Sequence, residues 1–389
     1  MNICFFVHRE AIYLAFDYSE IAPYKDEDVT GMMDKLKEDR AFREVLSFDQ
    51  TGRSFDEWMV LLSEVQSIHD FQSKVSRPFV KGLLDKTSTG ITHNGLDRLS
   101  NDKKNLFIAN HRDIILDSAI LNIAMTEANL QTCETAIGDN LLTSEIVHDL
   151  TKLNKNFTVI RSAGPREMYK HSLILSNYIR DKVTKNESSI WLAQREGRAK
   201  DGNDRTQQGL LKMLHLSASD LSFSEGFEAL KIRPLSVSYE YDPCDRFKIE
   251  ELLTTERGNK YEKRPEEDLQ NIIAGMNGFK GGIHLSIQEN ISDQFPHLKE
   301  TDNVNEKTNR LAAIIDRSIF RSYKLFENNY IAYDMLYGLT EYCKQYSKEK
   351  KEEFEAYIAK TTEDKPYEIK KLLIRKYAYP LINWNSASQ

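Results

Sequence analysis

At 389 residues, with 40% hydrophobic and 29% charged residues, the chain is long enough for two or three packed units, or for one large domain with helical additions, and too rich in core-forming side chains for global disorder. A formal net charge of −7 argues against a general nucleic-acid binder, which would carry a basic face, while leaving room for a local anion site. The longest apolar run, Ala11 to Phe16, falls far short of the roughly 20 residues needed to span a bilayer, so no membrane span is expected.

In chain order, Asn2 stands where a signal peptide would carry positive charge, and the apolar run Ile3 to Val7 is cut by His8 and Arg9, so secretion is not expected. Cys4, Cys133, Cys244 and Cys343 lack the paired spacing of zinc or redox sites and read as buried or free thiols in a reducing cytoplasm. Residues 1–88 read as mostly helical. From Phe55 the apolar positions Trp58, Leu61, Leu62, Val65 and Ile68 recur at helical spacing and give one buried stripe, and Pro78 is expected to interrupt the pattern that follows it. The expected role of this region is packing cover rather than a substrate lid.

From Ile91 strands and helices alternate. Strands are predicted over Ile91 to Asn94, Leu106 to Ala109, Phe157 to Arg161, Ser189 to Ala193, Ile232 to Tyr239 and Gly281 to Ile287. Helices are predicted over Asp117 to Ala128, Glu167 to Lys182, Gly209 to Leu216, around Glu266 to Ala274, and over Glu306 to Phe326. Such alternation implies an α/β fold: a mainly parallel sheet flanked by helices, with helical N- and C-terminal additions. The expected units are a helical region over 1–88, an α/β domain over 89–340 and a helical extension over 341–389. The charged run Lys348 to Glu353 reads as a solvated helix. Ile369 to Trp384 mixes basic with apolar and aromatic residues, which suits either a membrane surface or a helix docked on the core with its lysines outward.

The chemistry centres on Leu106 to Ser118. An apolar strand stops at Asn110, and Asp113 is placed to cap the helix that opens at Ile114. His111 therefore lies in a strand-to-helix turn. Inside one helix His111 and Asp117 would point to different sides, because each residue turns the helix by about 100°. They meet only if the histidine precedes the helix and the aspartate lies in its first turn or two. A carboxylate on an imidazole fixes its tautomer and makes a general base of it. Ligands of such sheets bind beyond the carboxyl ends of strands, where His111, Arg161 and the 195–202 loop all fall. His111-Arg112-Asp113 also matches the opening of a protein-kinase catalytic loop. That reading lacks its asparagine, since position 118 is serine, and its glycine-rich loop and Asp-Phe-Gly. His8, His148, His171 and His284 have no comparable company and read as structural.

Asn110-His111 followed by Asp117 resembles the His-four-residues-Asp motif of the glycerolipid acyltransferases, which acylate glycerol 3-phosphate or lysophosphatidic acid. Three later segments resemble that family's blocks in order: Phe157 to Arg161, a strand ending in arginine; Arg195-Glu196-Gly197-Arg198-Ala199-Lys200-Asp201-Gly202, a glycine turn with spaced basic residues; and Ile232 to Glu240, a strand entered through proline. The resemblance implies His111 as base, Asp117 as its orienting partner, and Arg161, Arg198, Lys200 and Arg195 as ligands of a substrate phosphate. Glu196 and Gly197 would help to position the substrate. The third block departs from the family's Glu-Gly-(any)-Arg, because only one residue separates Glu196 from Arg198. Either Glu196 reaches the site from a shifted turn or Arg195 replaces it.

The expected activity is O-acyl transfer from a thioester of coenzyme A or acyl carrier protein to glycerol 3-phosphate or a lysophospholipid. It would need no metal or other cofactor and would take place in the cytoplasm at the inner face of the membrane, with no nucleic-acid partner. The alternatives are an acyltransferase for an amino-acid-derived lipid and a catalytically silent lipid-binding or scaffold protein of the same fold.

Overall fold

The computed structural model describes residues 16–264, 266–300, 303–363 and 365–388. Cys4, His8, the run Ile3 to Val7 and most of the run Ala11 to Phe16 lie outside the described residues.

The chain opens with helices α1 (Asp26–Glu38), α2 (Arg40–Leu46), α3 (Phe55–Ser63), α4 (Ile68–Asp70) and α5 (Arg77–Thr87). Local chemistry sets their starts. The Asp39 carboxylate accepts the N–H groups of Ala41 and Phe42 at the head of α2, and Ser54 and Glu57 form a reciprocal capping box at α3. The predicted apolar stripe is divided, because α3 stops at Ser63 and Ser67 caps a new turn. Val65 and Ile68 remain buried all the same, in the cluster that holds Trp58 and Leu62. Pro78 does not interrupt the helix. It lies in the first turn of α5, where an N–H is not required, and a π-helical turn over Phe71–Ser76 joins α4 to α5.

The sheet then forms from β1 (Gly90–Asn94), β2 (Leu106–Ala109), β3 (Glu134–Gly138), β4 (Asn156–Val159), β5 (Ile190–Ala193), β6 (Ile232–Tyr239) and β7 (Gly282–Ile287). Between these strands run α6 (Leu116–Glu127), α7 (Glu145–Leu153), α8 (Pro165–Thr184), α9 (Gln208–His215), α10 (Phe223–Glu228), α11 (Asp245–Glu256) and α12 (Glu267–Asn277). The seven strands lie in the order β1-β7-β6-β2-β5-β3-β4, and every pairing is parallel except β6 with β7. The fold is α/β, with helices on both faces. On β2, Leu106 and Ile108 enter one core with Tyr178 and Leu211, while Phe107 and Ala109 enter another with Leu116 and Ile120. That is why β2 reads as an unbroken apolar run. The strand β3 escaped the sequence because it opens on Glu134 and Thr135, whose burial depends on tertiary partners such as the Tyr178 hydroxyl on Glu134.

Helices α13 (Val304–Arg321), α14 (Glu327–Tyr337), α15 (Lys348–Thr361) and α16 (Tyr367–Ser388) close the chain. The segment Ile369 to Trp384 is a docked helix: α16 turns Ile369, Leu372, Leu373, Tyr377 and Leu381 inward and packs on α11, α13 and α14. Lys370 and Lys371 face outward, but Lys376 is buried. Its ammonium donates to Asp242 at 2.6 Å and to Asp245, and Lys248 reaches Asp242 at 2.5 Å. Against the penalty of burial, Lys248 and Lys376 hold the Asp242 carboxyl well below the usual carboxylate range. The charged run on α15 is anchored rather than wholly solvated, through buried Phe354 and Ile358 and a 2.5 Å pair between Lys350 and Glu240. No helix among the described residues is long and apolar enough to cross a membrane.

Substituting Lys376→Met leaves two buried carboxylates short of a cation. Removing one partner of such a cluster costs about 3–5 kcal/mol. The expected outcome is an unfolding free energy lowered by that amount, read as a lower urea midpoint at unchanged m; a loss under about 1 kcal/mol would show the carboxylates rehydrated in the variant.

Candidate active site

The five strands that run together, β6, β2, β5, β3 and β4, bring their carboxyl ends to one edge of the sheet. After β2 the chain is held by Asn110, whose buried amide accepts the Val237 N–H at 2.8 Å and donates to the Val237 carbonyl at 3.0 Å. Asp113 then accepts the N–H groups of Ile115 (2.9 Å) and Leu116 (2.8 Å), and α6 begins at Leu116, two residues later than Ile114. His111 thus precedes the helix and Asp117 lies in its first turn.

Five residues separate His111 from Asp117, one more than in the motif the segment resembles. The late helix start absorbs the extra residue, and the pair still meets. Nδ1 of His111 lies 2.9 Å from Asp117 Oδ2. The same oxygen accepts the backbone N–H groups of Arg112 (2.7 Å) and Asp113 (3.0 Å), while Oδ1 accepts the Tyr239 hydroxyl at 2.9 Å. Burial and the Asp117 charge hold the Tyr239 phenol far above its ordinary value, so it remains a donor. A carboxylate that only accepts requires the proton on Nδ1, which leaves Nε2 of His111 as the basic atom. The imidazole also meets the Trp191 ring edge-on, at 5.8 Å between centroids.

The turn is braced from beneath. Arg112 donates to Asp204 at 2.6 Å, and the same carboxylate oxygen accepts the Tyr323 hydroxyl at 2.7 Å. Lys248 donates to the Arg112 carbonyl at 2.6 Å. Burial, with Asp117 close by, raises the Asp113 carboxyl above its ordinary value.

His111, Arg161, Arg195, Glu196, Gly197, Arg198 and Lys200 all line one cavity of about 940 Å³, and Asp117 stands behind His111. The residues brought together are not equivalent. Arg198 is only 6% exposed, and its Nη1 has no hydrogen-bond partner among the described residues. Nε of Arg195 is likewise buried without one. Lys200 already donates to Glu251 at 2.5 Å, and burial lowers its ammonium below the ordinary value despite that partner. Arg161 stands 3.7 Å from Glu196 Oε1, and both side chains are exposed, so this is a solvated pair of little energetic weight. Arg195 and Glu196 both reach the cavity, so neither displaces the other. Gly202, at φ +79°, lets the loop press on α16, where a Cβ would stand 2.2 Å from the Lys376 carbonyl.

The rest of the cavity is largely apolar. Phe42, Phe71, Val75, Phe79, Val80 and Leu83 from the N-terminal helices supply one wall. The region expected to be packing cover is therefore also cavity wall. A stripe at helical spacing looks the same whether it covers a core or a cavity, so the sequence carried no signal of this. Tyr239 and Trp191 were missed for a related reason: each sits in a correctly predicted strand, and only the sheet order shows what their polar atoms face. Among the described residues no group of three or more His, Cys, Asp and Glu side chains is arranged to hold a metal ion.

Comparison with protein-family models finds no match, and a search of curated proteins finds none either. Among solved structures, the chain is similar to the 1-acyl-sn-glycerophosphate (LPA) acyltransferase PlsC from Thermotoga maritima. The match has 9% identity and a TM-score of 0.36, over 74% of this chain and 94% of that one. At that score the likeness carries no inference about function.

A guanidinium N–H buried without a partner at a cavity wall suits an anion. Inorganic phosphate is expected to raise the melting temperature in a concentration-dependent way. Arg198→Met is expected to weaken this binding about tenfold or more, since a hydrogen bond to a charged group contributes about 1.5–3 kcal/mol. Titration calorimetry on both proteins checks it, and equal affinities would show the anion held elsewhere.

Proposed function

We propose that the protein is an O-acyltransferase of glycerolipid synthesis, moving a fatty acyl group from a thioester to a hydroxyl of glycerol 3-phosphate or a related lysophospholipid. One observation carries this reading. A carboxylate-oriented imidazole lines a cavity whose lining is largely apolar and also holds three arginines. An acyl chain suits the apolar residues and a phosphate the arginines, and His111 lines the same cavity as both.

In the proposed reaction, Nε2 of His111 takes the proton of the acceptor hydroxyl as its oxygen attacks the thioester carbonyl. The tetrahedral adduct collapses by expelling the thiolate, which takes the proton back from the imidazolium. The products are an ester and a free thiol, the histidine ends as it began, and no acyl-enzyme is formed. Asp117 keeps the proton on Nδ1 and stabilises the transient imidazolium. Arg198, Arg161 and Arg195 are the proposed phosphate ligands. Lys200, paired with Glu251, is proposed to set the shape of the loop and the local field, and Glu196 to help position the substrate at the cavity wall. The donor is proposed to be a thioester of coenzyme A or of acyl carrier protein.

With purified protein, an acyl thioester and glycerol 3-phosphate, acceptor-dependent thiol release and an acylated product by mass spectrometry are expected. No acceptor-dependent thiol release from any acyl thioester would favour a silent lipid-binding protein. His111→Ala should lower kcat on the order of 10²–10⁴-fold. Tyr239→Phe removes one hydrogen bond from the Asp117 carboxylate without touching substrate. Its expected effect is a fall in kcat of roughly tenfold with little change in either KM, and a change confined to KM would count against the role.

A further inference from the structure

Strands β3 and β5 are neighbours inside the sheet, yet they part after two residue pairs. Glu134 is in register with Ile190 and Thr135 with Trp191, and the pairing ends there, although β3 runs on to Gly138 and β5 to Ala193. On their other sides both strands stay paired, β3 with β4 and β5 with β2, over four pairs each. The bonds that are made show where the missing ones point. The Thr135 N–H goes to Lys155 on the β4 side and the Glu134 N–H to Ser189 on the β5 side, so Ala136 and Gly138 turn their peptide groups toward β5. On β5 the Ile190 and Gln194 N–H groups go to Asn105 and Ala109 on the β2 side, so Trp191 and Ala193 turn theirs toward β3. The next bond of the ladder, from the Ala193 N–H to the Ala136 carbonyl, is not made.

The cavity occupies this opening. Ala136, Ile137 and Gly138 of β3 and Leu192 and Ala193 of β5 all line it, and Ala136, Ile137 and Ala193 are only half-buried although they belong to inner strands of a seven-stranded sheet. Its lining also takes in Leu175 and Met213 from the core on one face of the sheet and Leu116 and Ile123 from the core on the other. At the vertex the Trp191 indole N–H is buried without a hydrogen-bond partner among the described residues. The opening stands beside the candidate base, because Ala193 is in register with Ala109 and the Trp191 ring meets that of His111. Backbone groups inside a fold are nearly always paired, and facing strand edges with an open ladder form a template for an extended chain of amides. Small side chains at Ala136, Gly138 and Ala193 leave room for a narrow chain, and the absence of charged side chains at 136–138 and 191–193 suits a neutral one. The pantetheine arm that carries the acyl group in a thioester of coenzyme A or acyl carrier protein is such a chain, neutral and extended with two amides.

We infer that the cleft between β3 and β5 receives the pantetheine arm of the thioester donor, with the Ala193 N–H donating to one of its amide carbonyls and the Ala136 carbonyl accepting an amide N–H. The arm completes the interrupted ladder and brings the thioester to the side of the sheet edge where His111 lies. The inference rests on the proposed function, which supplies the thioester. Its test reads binding without turnover, so acyl transfer by a protein that showed no preference for the amides would remove this inference alone.

The probe is S-octyl pantetheine, a thioether that cannot transfer its chain, compared with the analogue in which both amides are replaced by esters. The two match in length and apolar tail and differ in hydrogen bonding. Titration calorimetry with the full chain is expected to show the amide compound bound roughly tenfold tighter, the worth of one or two hydrogen bonds. The amide compound alone should slow deuterium exchange at the Ala193 N–H. Ala193→Pro removes an N–H that no ladder bond uses, and should bring the affinity of the amide compound down to that of the ester while leaving the ester unchanged. Equal affinities of the wild-type protein for the two compounds, or unaltered exchange at Ala193, would overturn the inference whether or not the variant folds. The S-octyl thioethers of coenzyme A and of acyl carrier protein distinguish the two sources of the arm, and binding of neither would overturn it as well.

Discussion

The Asp117 carboxylate is the constraint from which the candidate site takes its shape. A carboxylate that is 1% exposed must be satisfied from within, because a bare charge in the interior is prohibitively costly. Four groups meet that demand: two backbone N–H groups of its own turn, the His111 ring, and the Tyr239 hydroxyl at the end of β6. Three come from one tight bend and the fourth from a strand more than a hundred residues later. The bend cannot relax without leaving one of them unpaired, so the imidazole is held between a fixed backbone and a neighbouring strand.

The supports beneath that bend extend the same logic outward. Asp204 collects Arg112, Tyr323 and Asn110, and the Arg112 carbonyl is taken by Lys248, which shares Asp242 with Lys376 of α16. The last helix of the chain therefore bears on the histidine turn through two lysines and one carboxylate. Positive charge at this edge divides into two kinds. Lys200, Lys248 and Lys376 are neutralised by acids, whereas Arg198 keeps one buried N–H group unspent, and that asymmetry is why the proposed phosphate site centres on it.

Most strands were legible because their burial is local in origin. The run Leu106 to Ala109 and the strand Ile232 to Tyr239 match the observed β2 and β6 to the residue, the first because a strand covered on both faces is apolar throughout. Asp113 and Asp117 were legible for a different reason, because capping and side-chain direction are short-range geometry. Where burial depends on distant partners, pattern reading failed. The strand β3 was missed behind Glu134 and Thr135, and the stripe around Trp58 was taken for one helix where Ser67 starts another. The segment around Lys376 offered two readings that periodicity could not separate, because an inward lysine and an outward one look alike until their acids are placed.

By itself the sequence determined that the chain alternates strands with helices and that His111, Arg161 and the 195–202 loop follow strands. It also determined that His111 and Asp117 can meet only across a helix start, since periodicity and covalent geometry act over a few residues. Only the tertiary structure decided the sheet order that brings those loops to one edge, the choice of Arg198 over Lys200 as the unpaired cation, the cavity wall made by the N-terminal helices, and the parting of β3 from β5. Each of these depends on contacts between segments far apart in the chain, and nothing in local residue order encodes which distant partner will satisfy a buried charge or cover an apolar face.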